Sequence, residues 1–349
     1  MTLPGSGVGS FTGIHPFLLV IAAAGLDRLV GDPRWCLHPV VVMGWWISRL
    51  RHLAERWAGD QPAALRLAGA LITLLLVGGS GAAGWLLEQR LPPWLLLIAL
   101  ASTLAGRSLE QAVRKVLEAL PAPAAPESPA SLAPARHALS WIVGRDTAAL
   151  SRAEILRAAA ETASENAVDG LFAPLFWMLL GAAIWSTGHT AAPGPLALAW
   201  AFKATSTLDS MLGYRQGRLR WLGTAGARLD DLLVWLPCRL VALSLPLAAG
   251  VGPRRSWSLW RAALRDGAPD PSPNAGVSQA AYAQVTGVQL GGLNRYGAEL
   301  KPKPLLAAGC PPPASADVRR MLTLSQRLEL LWLLAGLVLG GLIGASGAQ

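Results

Sequence analysis

Three long apolar runs constrain this chain before any other feature does. They cover residues 68–87, 232–251 and 328–343. A membrane-crossing helix needs about 20 mostly apolar residues, and each of these runs approaches that length. Shorter or charge-interrupted runs cover residues 17–26, 94–104, 171–185 and 196–204. These suit re-entrant or protein-buried segments as well as spans. Composition agrees. The 349 residues are 52% hydrophobic and 15% charged, whereas a soluble domain carries about 25% charged residues. Mean hydropathy is +0.40. The expected fold is an all-α, polytopic helical integral membrane protein. It would have about five or six apolar spans and cytoplasmic loops, organised as one membrane-embedded domain over residues 1–349.

The N-terminus carries no Lys or Arg before Phe17. It therefore lacks the basic region of a signal peptide, and the first apolar segment is expected to remain in the mature chain. Net charge is +9. The basic residues do not form a block interleaved with aromatics, so nucleic acid is not the expected partner. They gather in two loops, one with Arg34, Arg49, Arg51 and Arg56, the other with Arg107, Arg114, Lys115, Arg136, Arg145, Arg152 and Arg157. The positive-inside bias places both loops in the cytoplasm. The three cysteines form no CxxC pair and indicate neither a disulfide framework nor a zinc site. The Pro/Ala-rich stretch 121–136 reads as a flexible linker within a cytoplasmic loop.

Polar residues are dense in three places. In "ETASENAVDGLFAPLFW", Glu161, Glu165 and Asp169 follow i, i+4, i+8 and share one helix face. Like charges so arranged repel. A solvated amphipathic face is the plain explanation; a divalent cation with phosphates is the other, since Mg²⁺ takes a few carboxylates plus water and phosphate oxygens. Ser151 with Glu154 predicts a capping box at the start of this helix. In "FKATSTLDSMLGYRQGRLR", Lys203, Thr207, Ser210 and Tyr214 fall on one face, with Asp209 beside them. Lys203 alone could snorkel to the interface. A whole polar stripe predicts a lined cavity, because charge in the bilayer centre is costly. In "ARLDDLLVWLPCRL", Asp230 and Asp231 open an apolar run that contains Arg239, for which one of these acids is a candidate partner. Two acids at a helix N-terminus also suit the helix dipole. Two further stretches read as loops leading into helices. One contains Asp32 and His38. In the other, Asn274 and Gly276 precede a helix whose N-terminus suits a phosphate. No GxxxxGK[ST] motif is present.

Taken together these stretches resemble the CobD/CbiB family of cobalamin biosynthesis, the adenosylcobinamide-phosphate synthases. The pieces that carry the resemblance are "DRLVGDPRWCLHPVVVMG", "GRDTAAL", "ETASENAVDGLFAPLFW", "FKATSTLDSMLGY", "GARLDDLLVWLPCRL" and "SPNAGVSQAAYAQVTGVQLGG", in the family's order across residues 26–292. Ser164 and Ser206 stand where the family usually has Ala and Asn. The tail after about Tyr296 matches poorly.

The resemblance implies a multi-pass enzyme of the cytoplasmic membrane with its active site on the cytoplasmic side. It would join aminopropanol, or aminopropanol O-phosphate, to a propionate of adenosylcobyric acid, consuming ATP with Mg²⁺. Catalytic candidates are His38, Glu165, Asp209 and Asp231. Substrate-binding candidates are Asp32, Asn166, Lys203, Tyr214, Arg228, Arg239 and Asn274. Metal candidates are Glu161, Glu165, Asp169, Asp230 and Asp231. The lipid bilayer and other cobalamin-pathway membrane enzymes are the further candidate partners. Two rival readings remain open at this point: a membrane transporter or sensor that binds a charged ligand, and a noncatalytic AmpE-like paralogue. If every apolar segment spanned, residues 252–326 would lie opposite the basic loops, so one short segment is expected not to span.

Overall fold

The structure is a computed structural model that describes residues 15–31, 38–122, 127–296 and 299–346. In chain order the helices are α1 (Pro16–Val30), α2 (Pro39–Ala58), α3 (Pro62–Glu88), α4 (Pro93–Ala101), α5 (Gly106–Glu118), α6 (Pro129–Ser140) and α7 (Arg152–Ala167). A π-helical turn, Val168–Phe172, leads into α8 (Ala173–Ser186). Then come α9 (Pro195–Leu212), α10 (Leu219–Leu222), α11 (Thr224–Ala248), α12 (Pro253–Gly267) and α13 (Ala275–Thr286). A hairpin of β1 (Leu290–Tyr296) and β2 (Glu299–Leu306) precedes α14 (Ser315–Ser346). Proline opens many of these helices, among them α2, α3, α9 and α12. Its missing N–H and fixed φ suit the first turn.

The chain is an all-α polytopic membrane protein carrying one small hairpin. Among the described residues, four helical stretches are long and apolar enough to cross a membrane: Pro62–Glu88, Arg152–Ser186, Thr224–Ala248 and Ser315–Ala345. As described, α1 has 15 residues and α4 nine, short of the length a span needs. Leu67, Leu71, Leu74 and Leu75 of α3, and Leu330 and Leu334 of α14, are exposed, as lipid-facing side chains must be.

The contacts of the chain divide it into two compact units. The first comprises residues 1–105, 173–233 and 333–349. Its core joins Met43 and Ile47 of α2, Leu65, Ile72 and Leu76 of α3, and Ala204, Leu208 and Leu212 of α9. Helices α3 and α9 approach closely because small residues face each other: a Cβ on Gly84 would lie 2.8 Å from Ala197 Cα. The N-terminus of α9 has no side-chain cap of its own. Fully buried Glu88 supplies one from α3, accepting hydrogen bonds from the N–H groups of Gly194, Leu196 and Ala197 at 3.0, 2.5 and 3.1 Å. An anion at that helix end also meets the dipole favourably.

The second unit comprises residues 106–172 and 234–332. Its core includes Val113, Val116, Ile155, Phe172, Tyr282, Val318 and Met321. Tyr282 Oη and Ser325 Oγ hydrogen-bond at 2.6 Å, satisfying a buried phenol. The expected linker at 121–136 is corrected in its second half. From Pro129 onward it is helix α6, started by a capping box of Ser128 and Ser131. The Ala-rich register offers Leu132, Ala135 and Leu139 to the core, and burial of that face overrides the breaking tendency of Pro134. Residues 123–126 lie outside the described residues.

Candidate functional site

The acid-bearing helix starts as its sequence predicts. Ser151 N–H donates to Glu154 Oε2 at 2.8 Å, closing the capping box. Further along α7, Glu161 is 3% exposed, too buried for an unpaired carboxylate. Arg145, from the loop before α7, is its ion-pair partner, and Gly291 N–H donates to Glu161 Oε1 at 3.0 Å. Gly291 is available because the hairpin bulges between Leu290 and Gly292. Its φ is +84°, and a Cβ there would lie 1.9 Å from the Pro304 carbonyl oxygen, so only glycine fits. Arg157 holds the same bulge through the carbonyl oxygens of Gly291 and Leu293.

One turn on, Glu165 Oε2 accepts a 2.7 Å hydrogen bond from Gln279 Nε2 on α13. The two carboxylates and their partners line a polar cavity of about 260 Å³, completed by Thr162, Asn166, Asn294 and Lys303. Lys303 Nζ is held 2.8 Å from Asp270 Oδ2 and also places positive charge near Glu165. Among the described residues the Asn166 side chain makes no hydrogen bond, so its amide is available to whatever enters. Asp169 falls in the π-helical turn, which adds a residue to the turn and breaks the simple i, i+4, i+8 register expected of the three acids.

Another expected pairing is corrected. Arg239 does not rely on Asp230 or Asp231. It donates to Asn274 Oδ1 at 2.6 Å and to the Pro273 carbonyl oxygen at 2.8 Å, and it lies over the Trp235 ring. The Cys238 thiol donates to the Asn274 carbonyl oxygen at 3.3 Å. Asn274 is the N-cap residue of α13, as its sequence suggests, but its side chain is turned to Arg239.

The first unit holds a separate charge group. Asp230 experiences the charges of Asp209, Asp231 and Lys203, and Asp231 those of Arg228 and Arg215. Asp230 Oδ1 is buried without a hydrogen-bond partner among the described residues. The polar stripe of α9 is shorter than expected. The Thr207 and Ser210 hydroxyls donate to the carbonyl oxygens of Lys203 and Ser206, at 2.7 and 2.9 Å, so they serve the helix itself. Tyr214 leaves the stripe altogether, because α9 ends at Leu212 and the ring is exposed. His38 is the N-cap of α2, its Nδ1 accepting the Val40 N–H at 3.3 Å. Asp32 lies outside the described residues.

The acids among the catalytic and metal candidates therefore belong to two groups. Glu161, Glu165 and Asp169 are in the second unit, and Asp209, Asp230 and Asp231 in the first. Among the described residues no three His, Cys, Asp or Glu side chains are grouped to hold a metal ion. A phosphate-bound Mg²⁺ asks for less, one or two carboxylates. Asp230, with an orphaned buried oxygen and a second acid adjacent in sequence, fits that demand. Glu161, occupied by Arg145 and Gly291, does not. Arg145, Gln279 and Lys303 are not among the site candidates that the sequence offers. Arg145 and Gln279 stand inside family-like motifs, which was the available signal; Lys303 lies beyond the stretch where the resemblance was seen.

A polytopic helical membrane protein with a charged, hydrogen-bonding cavity in one unit and an acid group in the other is the class these features define. The CobD/Cbib protein family matches residues 20–325, and the chain belongs to it. The match runs about thirty residues past Tyr296, into the tail whose motifs match poorly, and so takes in β2 and Lys303. The chain is 42% identical over 334 residues to cobalamin biosynthesis protein CobD of Synechocystis, covering 93% of this chain and 92% of that one. It is 38% identical over 331 residues to cobalamin biosynthesis protein CbiB of Salmonella typhimurium, covering 92% and 94%. It is 39% identical over 328 residues to CobD of Geobacter metallireducens, covering 92% and 96%. No solved structure matches the chain. Membership of the family places the protein in cobalamin biosynthesis.

Proposed function

We propose that the protein is an ATP-dependent, amide-forming enzyme. In this reading it joins aminopropanol or its O-phosphate to the propionate carboxylate of adenosylcobyric acid, at the cytoplasmic face of the cytoplasmic membrane. Family membership supports the pathway. The observation that carries the chemistry is the cavity around Glu165, which combines a carboxylate, an uncommitted Asn166 amide and the cations Arg145 and Lys303.

A carboxylate is a poor electrophile and an amine near neutral pH is protonated. Transfer of the ATP γ-phosphoryl group to the propionate oxygen expels ADP and makes an acyl phosphate. The amine nitrogen then attacks the acyl carbon, phosphate leaves, and the amine proton must go to a base. In sum, carboxylate, ammonium and ATP become amide, ADP, phosphate and a proton. Glu165 is the proposed proton acceptor, oriented by Gln279. Asn166 would hold the forming amide or the substrate carboxylate. Lys203 would meet an anionic group of substrate or nucleotide. Mg²⁺, when bound, would neutralise phosphate charge, and Asp230 with Asp231 would hold it.

The test is turnover. Purified full-length protein in nanodiscs is supplied with adenosylcobyric acid, the amine and Mg-ATP, and the products are read by mass spectrometry. Corrinoid amide with stoichiometric ADP is expected. Binding without ATP-dependent product would favour a transporter or sensor. A cysteine placed at exposed Asp146 should react with an impermeant maleimide only after cells are opened; labelling of intact cells would refute the cytoplasmic placement.

A further inference from the structure

A third group of charges lies outside both sites. A bay of about 330 Å³ is lined by Ala249, Arg319, Arg320, Thr323, Leu324 and Arg327. Arg319, Thr323 and Arg327 are spaced i, i+4, i+8 and so share a face of α14. All three arginines are exposed. Among the described residues none of them has an ion-pair partner. Asp317, two residues before Arg319, turns its Oδ2 to the Ala314 N–H at 2.8 Å, and Glu329, two residues after Arg327, is buried. Three guanidinium groups in one bay repel one another, and an anion among them would offset that repulsion.

The depth of the bay identifies the anion. Ala249 directly follows α11, whose 25 residues form one span, and Arg327 directly precedes the apolar run 328–343 of α14. The bay therefore sits where two spans leave the hydrocarbon, at headgroup level. The next helix has an interfacial character of its own. α12 opens with Arg254 and Arg255, both exposed, and Trp257 is 53% exposed with its ring 4.6 Å from that of Trp260. Basic residues beside tryptophans on a strongly amphipathic helix are the composition of a segment lying in the membrane surface.

We propose that the Arg319–Arg320–Arg327 bay binds the phosphodiester headgroup of an acidic phospholipid. The bay's guanidinium groups take the phosphate oxygens, and α12, which follows α11 in the chain, is a second segment suited to the membrane surface. Bound lipid would neutralise the arginines and fix the depth of α14. This site does not depend on the proposed amide chemistry.

Native mass spectrometry of the full-length protein from mixed micelles tests this directly. The micelles contain phosphatidylglycerol and phosphatidylcholine in equal amounts. Wild type should retain phosphatidylglycerol in clear preference. The variant R319Q/R320Q/R327Q should lose that preference, by about fivefold for each arginine removed. R319K/R320K/R327K, which keeps the charge, should retain most of it. If the triple glutamine variant cannot be purified, Arg320→Gln alone should show the single-site loss. Equal retention of both lipids by wild type, or an unchanged preference in the glutamine variants, overturns the proposal. So does displacement of phosphatidylglycerol by millimolar inorganic phosphate, which would make the bay a site for soluble phosphate.

Discussion

Arg145 and Glu161 form a buried ion pair, with side chains 10% and 4% exposed, and Gly291 N–H donates to the acid's other oxygen. The pair joins the loop before α7 to α7 itself, and the Gly291 N–H ties both to the start of β1. Glu161 thereby acquires a structural role, whereas the next acid, Glu165, keeps its place in the cavity wall with a single amide donor recorded.

Breaking this pair from one side should be costly. Arg145→Met leaves Glu161 buried with a single N–H and a distant Arg157, whose Nε is 3.9 Å away. A loss of about 3–5 kcal/mol is expected, read as a lower melting temperature in detergent. The double variant Arg145→Met/Glu161→Gln should recover part of it, because the uncompensated charge is gone. Equal melting temperatures for wild type and Arg145→Met would show that the pair carries no stability.

Glu165→Gln keeps the shape of the side chain and removes its basicity. If Glu165 accepts the amine proton, the rate of amide formation should fall by about 10²-fold or more, with little change in melting temperature. The rate of product formation at saturating substrates is the measurement. A variant that turns over at the wild-type rate would return Glu165 to a role in packing α7 against α13.

Asp230 and Lys203 should separate metal from anion. Asp230→Asn removes the carboxylate charge and should raise the Mg²⁺ concentration needed for half-maximal rate, leaving corrinoid binding intact. Lys203→Met should instead weaken binding of the anionic partner about tenfold or more, as loss of a charged hydrogen bond does. Isothermal titration of nucleotide and corrinoid, alongside Mg²⁺ dependence of the rate, distinguishes them. Identical defects in both variants would mean that the two side chains act as one structural unit.

The contact of α3 with α9 offers a structural test free of the chemistry. Gly84→Val drives a branched side chain into the α9 backbone at Ala197 and should cost about 1–3 kcal/mol or more. Gly78→Ala, on the same helix with open space around it, should be close to neutral. The yield of monodisperse protein and its melting temperature report both. Equal behaviour of the two variants would show that the helices can separate without loss.

Much of the architecture follows from the sequence alone. Apolar runs of span length leave the backbone no option in lipid but to satisfy its own hydrogen bonds as helix, and prolines and the Ser151–Glu154 box mark where helices begin. The family was legible too, because six motifs in a defined order survive without coordinates. What each charged residue does was not legible, since a charge is defined by its partner and partners are remote in sequence. Only the folded chain turns Arg239 to Asn274 rather than to the aspartates. It alone sets Arg145, sixteen residues before Glu161, against that acid, and draws Gly291 in through a bulge in a hairpin that periodicity did not reveal. Helical spacing correctly placed Glu161 and Glu165 on one face. It could not show that one would be neutralised by an arginine while the other remained in a cavity, because that difference is made by the loop and hairpin packed over the helix.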